Sequence, residues 1–236
     1  MPKDIFRFKE FSLSHAHSAM KVGTDGVLLG AWPNVSASKR ILDIGTGSGL
    51  VALMVAQRST AYIIGIDIDA EASAQANENF RQSPWRERMQ SVCTDLRRYS
   101  PDEHFDCITC NPPFYQANTH SPDPQRHIAR NTASLTFTEL ITHTHRLLLP
   151  GGTFHTIIPT EALPALIYEC EISALYPYKI RQVTAKSQSA PCRTLLSFRK
   201  QEYTPTNRIE ITNITIRNSQ GEITSEYKNY TKDYLL

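Results

Sequence analysis

RILDIGTGSGLVALMVAQRSTAYIIGID, residues 40–67, holds the pattern that decides the fold. It opens on RILDIG, an apolar run of about five residues that predicts a buried strand. Gly45, Gly47 and Gly49 follow, and then SGLVALMVAQR, which predicts a helix. AYIIGIDID is a second apolar run ending in acids. Strands buried on both faces read as continuous apolar segments rather than alternating ones. A strand, a glycine turn, a helix and another such strand make a βαβ unit on a parallel sheet.

The same rhythm continues outward. AEASAQANENFRQS predicts a helix, MQSVCTD a short strand, and FDCITC a strand that runs into NPPF. LTFTELITHTHRLL predicts a helix, GGTFHTIIP a strand, and EALPALIYECEISA a helix. KIRQVTAKSQSAPCRTLLSFRK breaks the rhythm with two strands around a turn, an antiparallel hairpin at the end of the sheet. The expected class is α/β, a doubly wound, mostly parallel sheet with a terminal antiparallel strand. Residues 1–39 form an entry segment, in which Phe6 and Phe8 alternate with charged residues as in an edge strand. There MKVGTDGVLLGAWP predicts a turn and a short buried helix ending near Pro33. Residues 40–200 form the core, and residues 201–236 extend it with a strand, RIEITNITIR, a turn, NSQG, and an amphipathic helix, SEYKNYTKDYLL.

Composition narrows the function without naming it. The 236 residues are 40% hydrophobic and 20% charged, with 25 Lys and Arg against 23 Asp and Glu. A net charge of +2 is too mild to point to nucleic acid and does not exclude it. Five cysteines without framework spacing point to a reducing compartment, and MPKDIFRFKEF lacks the apolar run of a secretory signal. No stretch approaches the length of a membrane helix, so a cytoplasmic protein is expected.

Asp43-Ile44-Gly45-Thr46-Gly47-Ser48-Gly49 lies between strand and helix. Glycines there let the backbone turn sharply and approach a ligand, and the helix behind them presents amides to it. Leu50 stands where the dinucleotide fingerprint G-x-G-x-x-G has its third glycine, which weakens a pyrophosphate reading. Asp67 follows Gly45 by 22 residues at the end of the next strand, where a carboxylate accepts hydrogen bonds from both ribose hydroxyls of a nucleoside. Asp95 ends the third strand, at the level of an adenine edge. Each acid alone would be a helix cap or a solvated turn; loop, acid and acid on three consecutive strand ends point to a nucleoside cofactor.

Asn111-Pro112-Pro113-Phe114 follows the fourth strand. Two prolines stiffen the backbone, remove two N–H donors and leave carbonyls presented. Asn111 adds an amide oxygen and Phe114 a stacking face. The tetrapeptide has no base, so hydrolysis does not fit. A flat, amino-bearing group does fit, its hydrogens on the acceptors and its ring on Phe114.

DIGTGSG, Asp67, Asp95 and NPPF, in this order, resemble the class I S-adenosylmethionine-dependent methyltransferases of the amino-methylating group. The resemblance covers about residues 40–200, and NPPF is its most specific element. The segments KVGTDGVLLGAW and SEYKNYTKDYLL are similar to those of bacterial tRNA adenine-N6-methyltransferases, which modify the adenine 3′ of the anticodon. The resemblance implies S-adenosylmethionine as cofactor and tRNA as partner. It implies that Gly45, Thr46, Gly47 and Gly49 shape the methionine pocket above Asp43. By the same resemblance Asp67 holds the ribose and Asp95 the cofactor adenine. Asn111 and the Pro112 carbonyl hold the target amino group, with Pro113 stiffening the turn and Phe114 stacking the base. Rival activities are glutamine-N5 methylation of release factors, whose enzymes carry a helical N-terminal domain, and methylation of ribosomal RNA. Only 42 residues precede Asp43, little room for such a domain. A non-catalytic RNA-binding module is a third rival, with no need for a full cofactor site.

Other signals are weaker. Cys107 and Cys110 lie in an apolar strand without a second C-x-x-C and read as small buried hydrophobes. His15 with His17, and His143 with His145, lack acids at ligand spacing, so no metal site is expected. Arg126, His127 and Arg130 follow NPPF closely; the two arginines could hold tRNA phosphates. Arg97–Arg98 and Arg199–Lys200 read as solvated faces.

Overall fold

The computed structural model describes residues 5–15, 22–112, 135–202 and 208–236. Chain order runs β1 (Ile5–Arg7), β2 (Ser12–Ser14), α1 (Thr24–Ala31), β3 (Arg40–Ile44), α2 (Leu50–Ala56), β4 (Tyr62–Asp67), α3 (Ala70–Arg81), β5 (Met89–Cys93) and β6 (Phe105–Cys110). It continues with α4 (Phe137–Leu147), β7 (Leu148–Pro159), α5 (Leu163–Ile172), β8 (Leu175–Lys186), β9 (Arg193–Lys200), β10 (Glu210–Arg217) and α6 (Ser225–Thr231).

The main sheet has the order β10-β8-β9-β7-β6-β3-β4-β5. From β5 to β7 every pairing is parallel, as the apolar runs require. The doubly wound α/β class with an antiparallel strand is therefore borne out. The antiparallel strand is β9, which lies inside the sheet between β7 and β8, while β10 adds a parallel edge. The expected hairpin is present, but the chain of the tail covers it. Among the described residues β1 pairs with β2 alone, in a separate two-stranded sheet rather than at the main edge. Phe8 leaves that strand to stack on Phe11, with ring centroids 4.5 Å apart.

Strand side chains alternate between two layers. Ile41, Ile63 and Cys107 face α2 and α3, together with Phe8, Phe11 and Leu13 of the entry segment. Leu42, Ile64, Ile66, Ile108 and Cys110 face α4 and α5 on the other side. Helix α2 is buried along its whole length, which explains why SGLVALMVAQR shows no polar face. It lies against α1, where Gly26 and Gly30 make room: a Cβ on Gly30 would sit 2.5 Å from the Met54 sulfur. Tyr234, in the tail, is buried against the same helix and donates to the Met54 carbonyl at 3.3 Å. The entry segment and the tail thus brace the helix that carries the glycine loop. Among the described residues no helix is long and apolar enough to cross a membrane.

Candidate functional site

The loop after β3 is built on Asp43. Its register partners are Gly65 on β4 and Thr109 on β6. Thr46 donates its hydroxyl to Asp43 Oδ2 at 2.8 Å, and Thr109 donates to Oδ1 at 2.8 Å. Gly65 is small because the Thr46 side chain occupies the place of its Cβ, with the Thr46 hydroxyl 2.7 Å away. Asp43 is buried, and burial pushes its carboxyl up to about 6; the two hydroxyls oppose that rise, and nearby Asp67 adds to it.

Above this floor the glycines divide by role. Gly45 and Gly47 have positive φ, and no atom of the described residues lies within 4 Å of where a Cβ would stand. That room suits a ligand cradle. Gly49, also at positive φ, faces inward, where a Cβ would meet the Phe80 ring at 2.4 Å. The Gly47 amide donates to Asp67 Oδ2 at 2.9 Å, and the Asp69 amide to Oδ1 at 3.0 Å. Asp67, the last residue of β4, is only partly buried. A carboxylate offers about four acceptor positions, and the described residues use two of them. An open glycine cradle beside a half-used carboxylate fits a nucleoside cofactor such as S-adenosylmethionine.

Asp95 lies two residues beyond β5. Arg97 grips it: Nε is 3.0 Å from both carboxylate oxygens, Nη2 is 2.6 Å from Oδ2, and the Arg97 amide is 2.9 Å from Oδ1. These bonds hold the Asp95 carboxyl below its usual range. Arg97 is therefore no solvated face. Its Nη1 also reaches Glu139 Oε1 at 3.4 Å, and Glu139 forms a capping box with Thr136 at the start of α4. Lys200 likewise is engaged, donating to the His145 and Leu148 carbonyls at 2.7 and 2.8 Å, and Arg199 lies over the Tyr178 ring.

Asn111 and Pro112 follow β6 directly, two and three residues after Thr109, and both are partly buried. The structure brings Asn111 to the same end of the sheet as Asp43, Asp67 and Asp95, since β3 to β6 run parallel. Pro113, Phe114, Arg126, His127 and Arg130 lie outside the described residues. Cys107 and Cys110 are buried in β6, and burial pushes the Cys107 thiol up to about 12.

Sequence reasoning did not single out Thr109, Asn79 or His155. Asn79 of α3 is buried; it donates to the Ser48 and Ser14 carbonyls, each at 2.8 Å, and accepts from the Ser14 amide at 2.9 Å. It pins the entry hairpin to the glycine loop. A polar residue on the buried face of an otherwise amphipathic helix was its only signal. His155 is buried between Ser197 and Thr153 hydroxyls at 2.8 and 3.0 Å, and burial pushes its pKa down to about 3, so it is a neutral core residue.

The family model described as the methyltransferase small domain matches residues 11–166. The chain belongs to the methyltransferase small-domain family. Members similar over most of their length include a tRNA1(Val) (adenine(37)-N6)-methyltransferase of Bacteroides fragilis, 46% identical over 201 residues, covering 84% of this chain and 85% of the relative. Another so named, from Parabacteroides distasonis, is 38% identical over 238 residues, covering 100% of this chain and 99% of the relative. Among solved structures, a protein of Agrobacterium tumefaciens described as a predicted O-methyltransferase superposes with a TM-score of 0.70 at 17% identity, covering 89% of this chain and 96% of its own. The N-methyltransferase NodS of Bradyrhizobium japonicum, in complex with S-adenosyl-L-homocysteine, gives 0.53 at 19% identity, covering 73% and 83%. These two likenesses show the fold of the family.

Proposed function

We propose that this methyltransferase moves a methyl group from S-adenosylmethionine to the exocyclic N6 of adenine 37, just 3′ of the anticodon, in tRNA1(Val). The full-length similarity to enzymes named for that reaction carries the proposal. The cytoplasm, where tRNA resides, is its place of action.

The residues fit the chemistry. Gly45, Thr46, Gly47 and Gly49 cradle the methionine part of the cofactor above Asp43, Asp67 takes the ribose hydroxyls and Asp95 the adenine edge. The bound cofactor supplies an activated sulfonium methyl. The amino group of adenine is a poor nucleophile because its lone pair is delocalised into the ring. The Asn111 amide oxygen and the Pro112 carbonyl accept its two hydrogens off the ring plane, which favours a pyramidal nitrogen. Asn111 also lies at the cofactor's edge of the site, so it orients the amine toward the methyl group. Phe114 stacks the base once it is turned out of the loop, and Pro113 keeps the turn stiff. No general base is required, because the proton leaves to solvent after transfer, and proximity and alignment are the main contribution. Arg126 and Arg130 neutralise tRNA phosphates beside the pocket.

Asn111→Ala tests this arrangement. Cofactor affinity by calorimetry should change little, while methyl transfer falls by about 100-fold or more, the scale seen when one preorganised polar partner of a reacting group is removed. Normal turnover contradicts the assignment. Replacing Arg126 and Arg130 by Ala should lower the salt slope of tRNA binding by about 0.7–0.9 for each phosphate no longer neutralised. An unchanged slope in filter binding removes both from the interface.

A further inference from the structure

Among the described residues, each oxygen of the Asp95 carboxylate faces two Arg97 nitrogens. Three hydrogens make these four contacts: the main-chain amide on Oδ1, the single Nε hydrogen shared between both oxygens, and Nη2 on Oδ2. The arginine therefore covers both carboxylate oxygens. Asp67 differs, with one amide on each oxygen. A ligand amino group that takes either oxygen must share it with the guanidinium or take over the place of the shared Nε hydrogen.

We infer that Arg97 competes with the cofactor's adenine amino group for Asp95, and so sets how tightly the cofactor is held and how strictly that amino group is required; this rests on the assignment of Asp95 to the adenine. The geometry gives the guanidinium somewhere to go. Nη1 already lies 3.4 Å from Glu139 Oε1, a distance that closes to an ordinary hydrogen bond with a small side-chain shift. Glu139 stays in place because its other oxygen accepts from the Thr136 amide at 2.9 Å and its own amide is held by the Thr136 hydroxyl. The Asp95 backbone stays too: its carbonyl accepts from the Arg98 and Tyr99 amides at 2.9 and 3.0 Å, and Leu96 is buried beside it. Only the Arg97 side chain, 33% exposed, needs to move. In moving it strengthens the ion pair at the first turn of α4, the helix that follows the NPPF segment. Arg97 is thus a positioning residue that acts through Asp95 and links the adenine edge to the start of α4.

The test is calorimetry with S-adenosylhomocysteine and with its hypoxanthine counterpart, which carries an acceptor where the amino group stands. Arg97→Gln is expected to bind S-adenosylhomocysteine about three- to tenfold tighter than wild type, as one charge-assisted competitor is removed. The gain should vanish with the hypoxanthine ligand, and vanish again when Asp95→Asn is combined with Arg97→Gln. Arg97→Lys keeps the charge without the planar fork and should fall between. If Arg97→Gln does not fold, Arg97→Lys measured with the two ligands carries the same comparison. Equal or weaker binding of S-adenosylhomocysteine by a folded Arg97→Gln overturns the inference, since a merely structural arginine gives that result. Asp95→Asn alone is the separate control: unchanged affinity there overturns the adenine assignment itself.

Discussion

Asp43 lies near the end of β3 and Asp95 just beyond β5, two strands apart in one parallel sheet, and they are held in opposite ways. Asp43 is buried, receives two neutral hydroxyls and, among the described residues, no ion pair, and its carboxyl is pushed up to about 6. Asp95 is partly exposed, is gripped by an arginine fork, and its carboxyl is held down. The first site stores unfavourable charge that a cationic ligand can relieve; the second neutralises its charge inside the chain and must give part of that up. Under the proposed assignment, Asp43 would favour the positive methionine end of the cofactor and Asp95 would control access to the adenine end.

The largest effect that could break this contrast concerns Asp43. Its folded value lies above its unfolded one, so the folded state binds the proton more readily. Its contribution is therefore most favourable below about pH 4 and is lost as pH rises through about 6, a cost of about 3 kcal/mol once ionised. Asp43→Asn should remove that slope from urea midpoints measured between pH 4 and 8, and leave the protein at least as stable as wild type at pH 7.5. Cofactor affinity, which in wild type should fall as pH drops below about 6, should become weak and flat in the variant. A wild-type slope that survives the substitution contradicts the stored-charge account.

Asp67 lies between the two in the sheet and sharpens the contrast. Its carboxylate accepts from the Gly47 amide on one oxygen and the Asp69 amide on the other. Asp67→Ala should weaken cofactor binding by about 1.5–3 kcal/mol, the range for charge-assisted hydrogen bonds. Unchanged affinity in calorimetry removes the ribose role. The smallest effect concerns the Asp95–Arg97 pair. A carboxyl held low in the folded state adds stability above its unfolded value, and that stability is lost as pH falls through the folded value. The wild-type urea midpoint should therefore dip in acid below about pH 4 more steeply than that of Arg97→Gln. Identical acid limbs would show that the pair adds nothing to the fold, as for many partly exposed ion pairs.

Much of this was legible in the sequence. RILDI, YIIGID and FDCITC read as parallel strands because burial on both faces leaves no polar alternation, and the helices between them follow from length and composition. The glycine loop, the acid that ends β4 and the acid just beyond β5 were legible because short connections fix which strand ends come together. The insertion of β9 between β7 and β8 was not, since antiparallel partners are chosen by long-range packing. Arg97 beside Arg98 looked like a solvated pair because only the turn at Asp95 folds its guanidinium back onto the carboxylate. Thr109 was hidden inside an apolar strand, where one hydroxyl changes hydropathy little yet supplies half of the support for Asp43. Asn79 was hidden among Ala, Gln and Glu of α3, and its bonds to Ser14 and Ser48 join segments 65 and 31 residues away.

If the proposed function holds, this site methylates the amino group of one tRNA adenine. The direct measurement is mass spectrometry of nucleosides and peptides after incubation of wild type and Asn111→Ala with methyl-labelled S-adenosylmethionine and, separately, tRNA1(Val), ribosomal RNA and release factor. Label is expected in N6-methyladenosine at position 37 of tRNA1(Val) with wild type, and its loss with Asn111→Ala. Label in ribosomal RNA or in a glutamine side chain, with none at adenine 37, would contradict it.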